Sequence, residues 1–269
     1  MADRAETVTH RNVILATMTS SEHDEVVRRS FRHQVGLFSG PESPFARREG
    51  PMGWLEPLRP EMIALEVACG AAHAAESVAP AVRQIVGIDL TPELLEVGAD
   101  RLRDSGIDNV LLQQGNAESL PFVDRSFDLV FCRSSLHHFT DTARAVSEMV
   151  RVCRRGGRVV LLDLIAPDAA ARDRLDHLHR LLDPSHVRLL MEHELAGIWP
   201  PGVALTHGET TTLRLPIDIA VTEQSDRDAV VAALRDELAG GASTGFDPAD
   251  ERDAVVVSFT TCVVHGTIA

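Results

Sequence analysis

From residue 62 to residue 165 the chain alternates two periodicities. Short apolar runs, MIALEVA, RQIVGID, NVLLQQG, FDLVFCR and GRVVLLDLI, are separated by segments in which apolar residues return every three or four positions. Continuous β-branched and leucine-rich runs suit strands covered on both faces, and the helical period between them suits crossovers. The pattern therefore predicts an open parallel sheet wound with helices. Thr91-Pro92-Glu93 announces the helix after the second run: a capping hydroxyl, a proline at the first helical position and an acid at the positive helix end, with Gly106 as the stop. The helix after the fourth run places Val146, Met149, Val150 and Cys153 on one stripe, ended by Gly156-Gly157.

The flanks read differently. Residues 1–60 are charged, with isolated aromatics (Phe31, Phe38, Phe45, Trp54), and predict one helix and a loop through GPESPFARREGP, a lid able to cover a cleft. Phe31 and Phe38, seven apart, are candidate ligand contacts or plain anchors for that helix. Residues 167–205, rich in histidine and aspartate and ending near Trp199-Pro200-Pro201, form a candidate substrate cap. Two later strands, GETTTLRLPI and AVVVSFTTCVVHGTI, flank a helix at 226–238; without a second glycine-rich turn they complete the same sheet, so 61–269 is read as one domain.

Composition narrows the chemistry. The 269 residues carry 40 acids against 26 bases, a net charge of −14, which disfavours nucleic-acid and membrane-surface partners and points to small molecules. Every basic side chain is arginine and tyrosine is absent, which removes Schiff-base lysine and phenolic acid–base chemistry. The four cysteines (Cys69, Cys132, Cys153, Cys262) have no CxxC spacing and suit a reducing cytoplasm. Neither a signal peptide nor a membrane span is expected. A monomer or homodimer is expected.

Ligands of open α/β sheets bind at the carboxyl ends of the strands, so the turns there carry the function. The first is Glu66-Val67-Ala68-Cys69-Gly70-Ala71-Ala72-His73, which lacks the GxGxxG of a dinucleotide site and looks built for a nucleoside without phosphates. Asp89 ends the second strand, where a carboxylate accepts both ribose hydroxyls. The third strand ends in Gly115-Asn116-Ala117-Glu118, which offers an amide and backbone groups to a base. The fourth ends in Cys132-Arg133-Ser134-Ser135-Leu136-His137-His138-Phe139.

EVACGAAH, VGIDLTPELLEVG, GNAESLPF, SFDLVFCRSSLHHF and RRGGRVVLLDL, in this order, resemble the motifs of class I S-adenosylmethionine-dependent methyltransferases, in a branch similar to the ubiquinone and menaquinone C-methyltransferases. The resemblance covers about residues 60 to 190. It implies a Rossmann-like α/β fold: a seven-stranded, mostly parallel sheet with an antiparallel last strand and helices on both faces. It also implies that Glu66 and the backbone of Ala68 and Gly70 hold the methionine part of S-adenosyl-L-methionine, and that Asp89 and Leu90 hold the ribose. Asn116, Ala117 and Glu118 would frame the adenine, with Arg133 and Ser134 beside the methionine tail. The family's usual glycines at 68 and 72 are alanines here, and its frequent aspartate at 116 is asparagine.

Methyl transfer from a sulfonium needs mainly alignment and exclusion of water. A hydroxyl or acidic-carbon acceptor also profits from a base, for which His138 and His137 are the candidates; the alternative is a helix cap or packing under Phe139. His186 and Arg188, in Asp183-Pro184-Ser185-His186-Val187-Arg188, are candidate substrate contacts or parts of a structural turn. The stretch Asp173, Asp176, His177, His179, Asp183, His186, His193 does not converge for a metal and, apart from the segment 183–188, reads as a solvated helical face. Cys69 and Cys132 read as neighbouring apolar fillers. The competing readings are a non-methylating reaction in the same pocket, such as cyclisation or isomerisation, and a binding protein with a degraded pocket.

Overall fold

The computed structural model describes residues 19–39, 52–222, 225–251 and 254–269. The expected loop GPESPFARREGP, with Phe45, lies outside the described residues; the helix before it is α1 (Ser20–Ser39). The sheet is built from β1 (Ile63–Val67), β2 (Gln84–Asp89), β3 (Val110–Gln114), β4 (Phe127–Arg133) and β5 (Cys153–Leu164), all mutually parallel, then β6 (Val203–Pro216) and β8 (Ala254–Ile268). Their order is β3-β2-β1-β4-β5-β8-β6, with β8 antiparallel to both neighbours. Where seven strands are expected the sheet has eight among the described residues, because a short β7 (Ala249–Glu251) pairs with β8. The chain reverses direction across the sheet between β1 and β4, which opens the crevice where ligands of such sheets bind.

The helices are α2 (His73–Val78), α3 (Pro92–Asp104), α4 (Thr142–Val152), α5 (Ala169–Leu182), α6 (Glu192–Gly197) and α7 (Arg227–Leu238). Alternation along the central strands splits the core in two. On one face Leu65, Val67, Val130, Val159 and Leu161 pack with Val146 and Met149 of α4; on the other Ala64, Ile85, Leu129, Phe131 and Val160 pack with Ala74, Ala75 and Val78 of α2 and Leu102 of α3. A third cluster joins Leu175, Leu178 and Leu182 of α5 to Val230 and Leu234 of α7, Phe246 and Val257.

Five local expectations change. Thr91 stands at the α3 cap position, but its hydroxyl makes no capping bond. Cys153 is not the last residue of the α4 stripe; the helix ends at Val152 with Asp141 as its cap, and Cys153 begins β5. The Gly156-Gly157 pair lies inside that strand, where a Cβ on Gly157 would stand 2.8 Å from Arg154 O and 2.9 Å from Asp128 O. β6 begins at Val203 rather than at Gly208, with a register shift between His207 and Thr210 where Gly208 passes close to Val263. β3, an edge strand, is not covered on both faces, and Leu111 is 55% exposed. Among the described residues no helix is long and apolar enough to cross a membrane.

Candidate functional site

A cavity of about 700 Å³ lies over the carboxyl ends of β1, β2, β3 and β4 and continues toward β6 and β8. The turn after β1 enters it with Ala68, Gly70 and Ala72 all left-handed, at φ 56°, 52° and 59°. Two alanines in this conformation each cost on the order of 1 kcal/mol, which the surrounding structure must offset. Part of that support is visible at Gly98 of α3: a Cβ there would meet Ala71 C at 3.1 Å and the Ala72 Cβ at 3.2 Å, so α3 closes on the turn because position 98 is glycine.

Two buried carboxylates flank this turn. Asp89 accepts from Gly70 N at 2.7 Å through Oδ2 and from Thr91 N at 2.8 Å through Oδ1. Each oxygen keeps a second lone pair, so the group can still accept the two hydroxyls of a ribose. Burial raises its pKa, against those N–H donors. Glu66 Oε2 accepts from Ala75 N at 2.8 Å, and burial pushes its carboxyl up to about 8, moderated by the charge of Arg133. A carboxyl so raised is protonated at neutral pH, and a cation brought beside it would draw it back toward its ionised form.

Asn116 is held from two sides: its Oδ1 accepts from Glu118 N at 2.7 Å, and its Nδ2 donates to Asp24 Oδ2 of α1 at 2.9 Å. Glu118 is spent on the fold, since its Oε1 accepts from Thr140 Oγ1 at 2.8 Å and Asp141 N at 2.9 Å. Leu90, Ala117, Arg133 and Ser134 also line the cavity, so every residue expected at a cofactor opens onto one space.

Beyond them lies a histidine cluster. His137 and His138 pack at 4.2 Å between ring centres, His137 and His186 at 5.7 Å, and His179 stacks on His186 at 4.9 Å. His137 Nδ1 sits 2.5 Å from Asp163 Oδ1; burial lowers its pKa, the Asp163 carboxylate raises it, and the carboxylate prevails. His138 Nδ1 sits 3.0 Å from Ser185 Oγ, and burial, helped by His137, brings its pKa down to about 4. His186 Nε2 meets Asp176 Oδ1 at 2.8 Å and burial holds its ring well below the usual histidine range. The solvated face expected for this stretch holds at Asp173 and His193, which are exposed, and fails at Asp176 of α5, which is buried. Ser185 and His186, in the segment after α5, are buried as well. Among the described residues no group of three or more such side chains is arranged to hold a metal.

Phe31 of α1 meets His138 edge-on at 5.1 Å and lines the cavity, whereas Phe38 lies on the same helix with its side chain outside the described residues. His186 lines the cavity; Arg188 does not, because it pairs with Glu194 at the start of α6. Cys69 and Cys132 are buried free thiols that burial pushes up, as apolar fillers would be. Sequence reasoning missed Asp24, Asp163 and the positions of Ser185 and Asp183 against His138. Only Asp163, a charge interrupting the apolar run VVLLDLI, carried a signal.

The comparisons agree with this geometry. The family described as "Methyltransferase domain" matches residues 65–161. The chain is 45% identical over 131 residues to the uncharacterized methyltransferase YcgJ of Bacillus subtilis, a match covering 48% of this chain and 52% of that protein, so about half the relative's length is spanned. It is 34% identical over 156 residues to the uncharacterized protein YafE of Escherichia coli, covering 57% of this chain and 75% of YafE. The crystal structure of YcgJ superposes with a TM-score of 0.71 at 29% identity, covering 88% of this chain and 99% of the other. With the sheet order, the strand-end acids and these matches together, the chain belongs to the class I S-adenosylmethionine-dependent methyltransferases.

Proposed function

We propose that this protein transfers the methyl group of S-adenosyl-L-methionine to a hydroxyl or an acidic carbon of a small, largely apolar molecule. The observation that carries the reading is the continuity of the cavity. Strand-end groups suited to a nucleoside and an amino acid open into the same space as two imidazoles and an apolar wall of Leu182, Leu213, Leu215 and Phe259. Demethylmenaquinone methyltransferase of Anoxybacillus flavithermus, 38% identical over 108 residues (39% of this chain, 45% of that one), supports an apolar acceptor.

When bound, S-adenosyl-L-methionine supplies an electrophilic methyl group and a neutral thioether leaving group. Asp89, with Leu90, would hold the ribose. Asn116 and Ala117 would frame the adenine, with Glu118 bracing that turn. Glu66 and the backbone at Ala68 and Gly70 would hold the amino-acid part, with Arg133 and Ser134 beside it. His138 takes the acceptor's proton while the acceptor's electron pair forms the new bond to the methyl carbon. His137, its Nδ1 fixed by Asp163, positions the acceptor. Phe31 and His186 are the proposed acceptor contacts.

Calorimetry with S-adenosylmethionine and S-adenosylhomocysteine, with NAD as control, tests the first half. Micromolar binding of the first two alone is expected, and absence of binding overturns the reading. Mass-resolved screening of hydroxylated apolar acceptors then tests the second half.

A further inference from the structure

His138 stands in a hydrogen-bonded chain whose direction is set at its far end. Asp183, at the end of α5, accepts from Ser30 Oγ at 2.7 Å, Ser185 N at 2.8 Å and Ser185 Oγ at 2.6 Å through Oδ1, and from Gln34 Nε2 at 3.0 Å through Oδ2. Burial works to raise its pKa, yet the group stays below the ordinary carboxylate value, drawn down by His138 whenever that ring is charged and by the hydrogen bonds of Ser185, Ser30 and Gln34; with His138 neutral, those converging donors alone mark it as an acceptor. The Ser185 hydroxyl has one proton, and Asp183 takes it. What remains for the ring nitrogen 3.0 Å away is an oxygen lone pair, so His138 Nδ1 must donate.

A neutral imidazole that donates from Nδ1 carries a bare lone pair on Nε2. That nitrogen has no protein hydrogen-bond partner among the described residues, and the ring lines the cavity. His23 Nε2 contacts the backbone carbonyl of His138 at 2.9 Å and Phe31 packs edge-on against the ring, so both the backbone and the imidazole of His138 are held.

We infer that Asp183 and Ser185 are positioning residues that hold His138 as its Nδ1–H tautomer, so that the ligand group it meets in the cavity is a hydrogen-bond donor. The methyl acceptor then enters with its proton on, as a hydroxyl or acidic C–H, and gives that proton to Nε2 as it is methylated; the Nδ1 proton stays on the Ser185 bond. The acceptor part rests on the methyl-transfer reading, while the tautomer stands without it. The neighbouring pair shows why a hydroxyl intervenes. His137 contacts Asp163 directly and is driven toward its charged form, whereas the Asp183 charge reaches His138 only through Ser185 and leaves the ring neutral. The carboxylate still lies close enough to favour the imidazolium once the proton arrives.

Full-length protein labelled with 15N in histidine reports the tautomer directly, through two-bond nitrogen–proton correlation spectra at neutral pH, with His138 assigned by its loss in His138→Gln. The expected wild-type signature is a protonated Nδ1 and an unprotonated Nε2. Ser185→Ala shifts the ring toward the Nε2–H form that a free side chain favours, and Ser185→Thr, which keeps the hydroxyl, restores the wild-type pattern. A wild-type proton on Nε2, or an unchanged pattern in Ser185→Ala, overturns the inference. Should Ser185→Ala not fold, the wild-type spectrum alone decides. Failure of S-adenosylmethionine to bind would remove the methyl-transfer reading and leave the tautomer result intact, so the two fail separately.

Discussion

Asp163 Oδ1 lies 2.5 Å from His137 Nδ1, which ties the inner end of β5 to the turn after β4. The same carboxylate accepts from Ser135 N at 3.1 Å, from Leu136 N and from Leu164 N at 2.6 Å. One buried group therefore sets both the imidazole and the backbone that carries it.

Asp163→Ala leaves those donors and a ring biased toward its charged form with no acceptor. Breaking a buried pair by removing one partner costs about 3–5 kcal/mol. A drop of that size in urea-unfolding free energy is expected, and a loss under 1 kcal/mol would show that the carboxylate is not the anchor of this turn.

Glu66 gives a proton-linked prediction. With its pKa raised to about 8, the group is protonated at pH 7 in the empty protein, and it ionises when a cationic ammonium group settles beside it. Cofactor binding at pH 7 should therefore release up to one proton to the buffer, and affinity should rise with pH until it levels off above 8. Binding enthalpies measured in phosphate and in Tris should differ accordingly, and Glu66→Gln should abolish the difference. Equal enthalpies in both buffers for the wild type would place the ammonium elsewhere.

Asp89→Ala removes the acceptor of the ribose hydroxyls and of Gly70 N and Thr91 N together. The loss of a charged acceptor is on the order of 1.5–3 kcal/mol, or roughly 10- to 150-fold in S-adenosylhomocysteine affinity by calorimetry. An unchanged dissociation constant would move the ribose away from the end of β2.

The strand-end half of this site was legible because it is local. A strand ending in an acid, a tight turn of small residues and a helix start are read within ten residues, and Glu66, Asp89 and Asn116 all line the cavity as expected. The histidine half was not legible, because its bonds join distant parts of the chain. Nothing near Ser185 says that its hydroxyl reaches His138, and nothing near Asp24 says that it pairs with Asn116. His186 lines the cavity, but its ring partner could not be read from spacing. Two histidines seven apart across a helix end stack only because Asp183-Pro184-Ser185 turns the chain back over the sheet.

His138 ties the site to acid stability. Its pKa of about 4 lies below the ordinary 6.5, so between these values the unfolded chain binds a proton that the folded chain refuses. The sign follows from linkage: the stabilisation from a neutral buried ring is fully present above pH 6.5 and is lost as pH falls toward 4. One pKa unit is 1.36 kcal/mol, so the ring accounts for a loss of roughly 3 kcal/mol over that window. Glu66 works in the opposite direction, because its raised pKa makes the folded state bind more protons than the unfolded one between about 8 and 4.5. The total pH profile is therefore a difference of opposed contributions, and the informative quantity is the gap between wild type and His138→Gln. In urea unfolding at pH 7 and at pH 4.5 that gap should narrow by about 2–3 kcal/mol on acidification. A gap independent of pH would mean that His138 titrates like an exposed histidine, with no neutral lone pair held in the cavity.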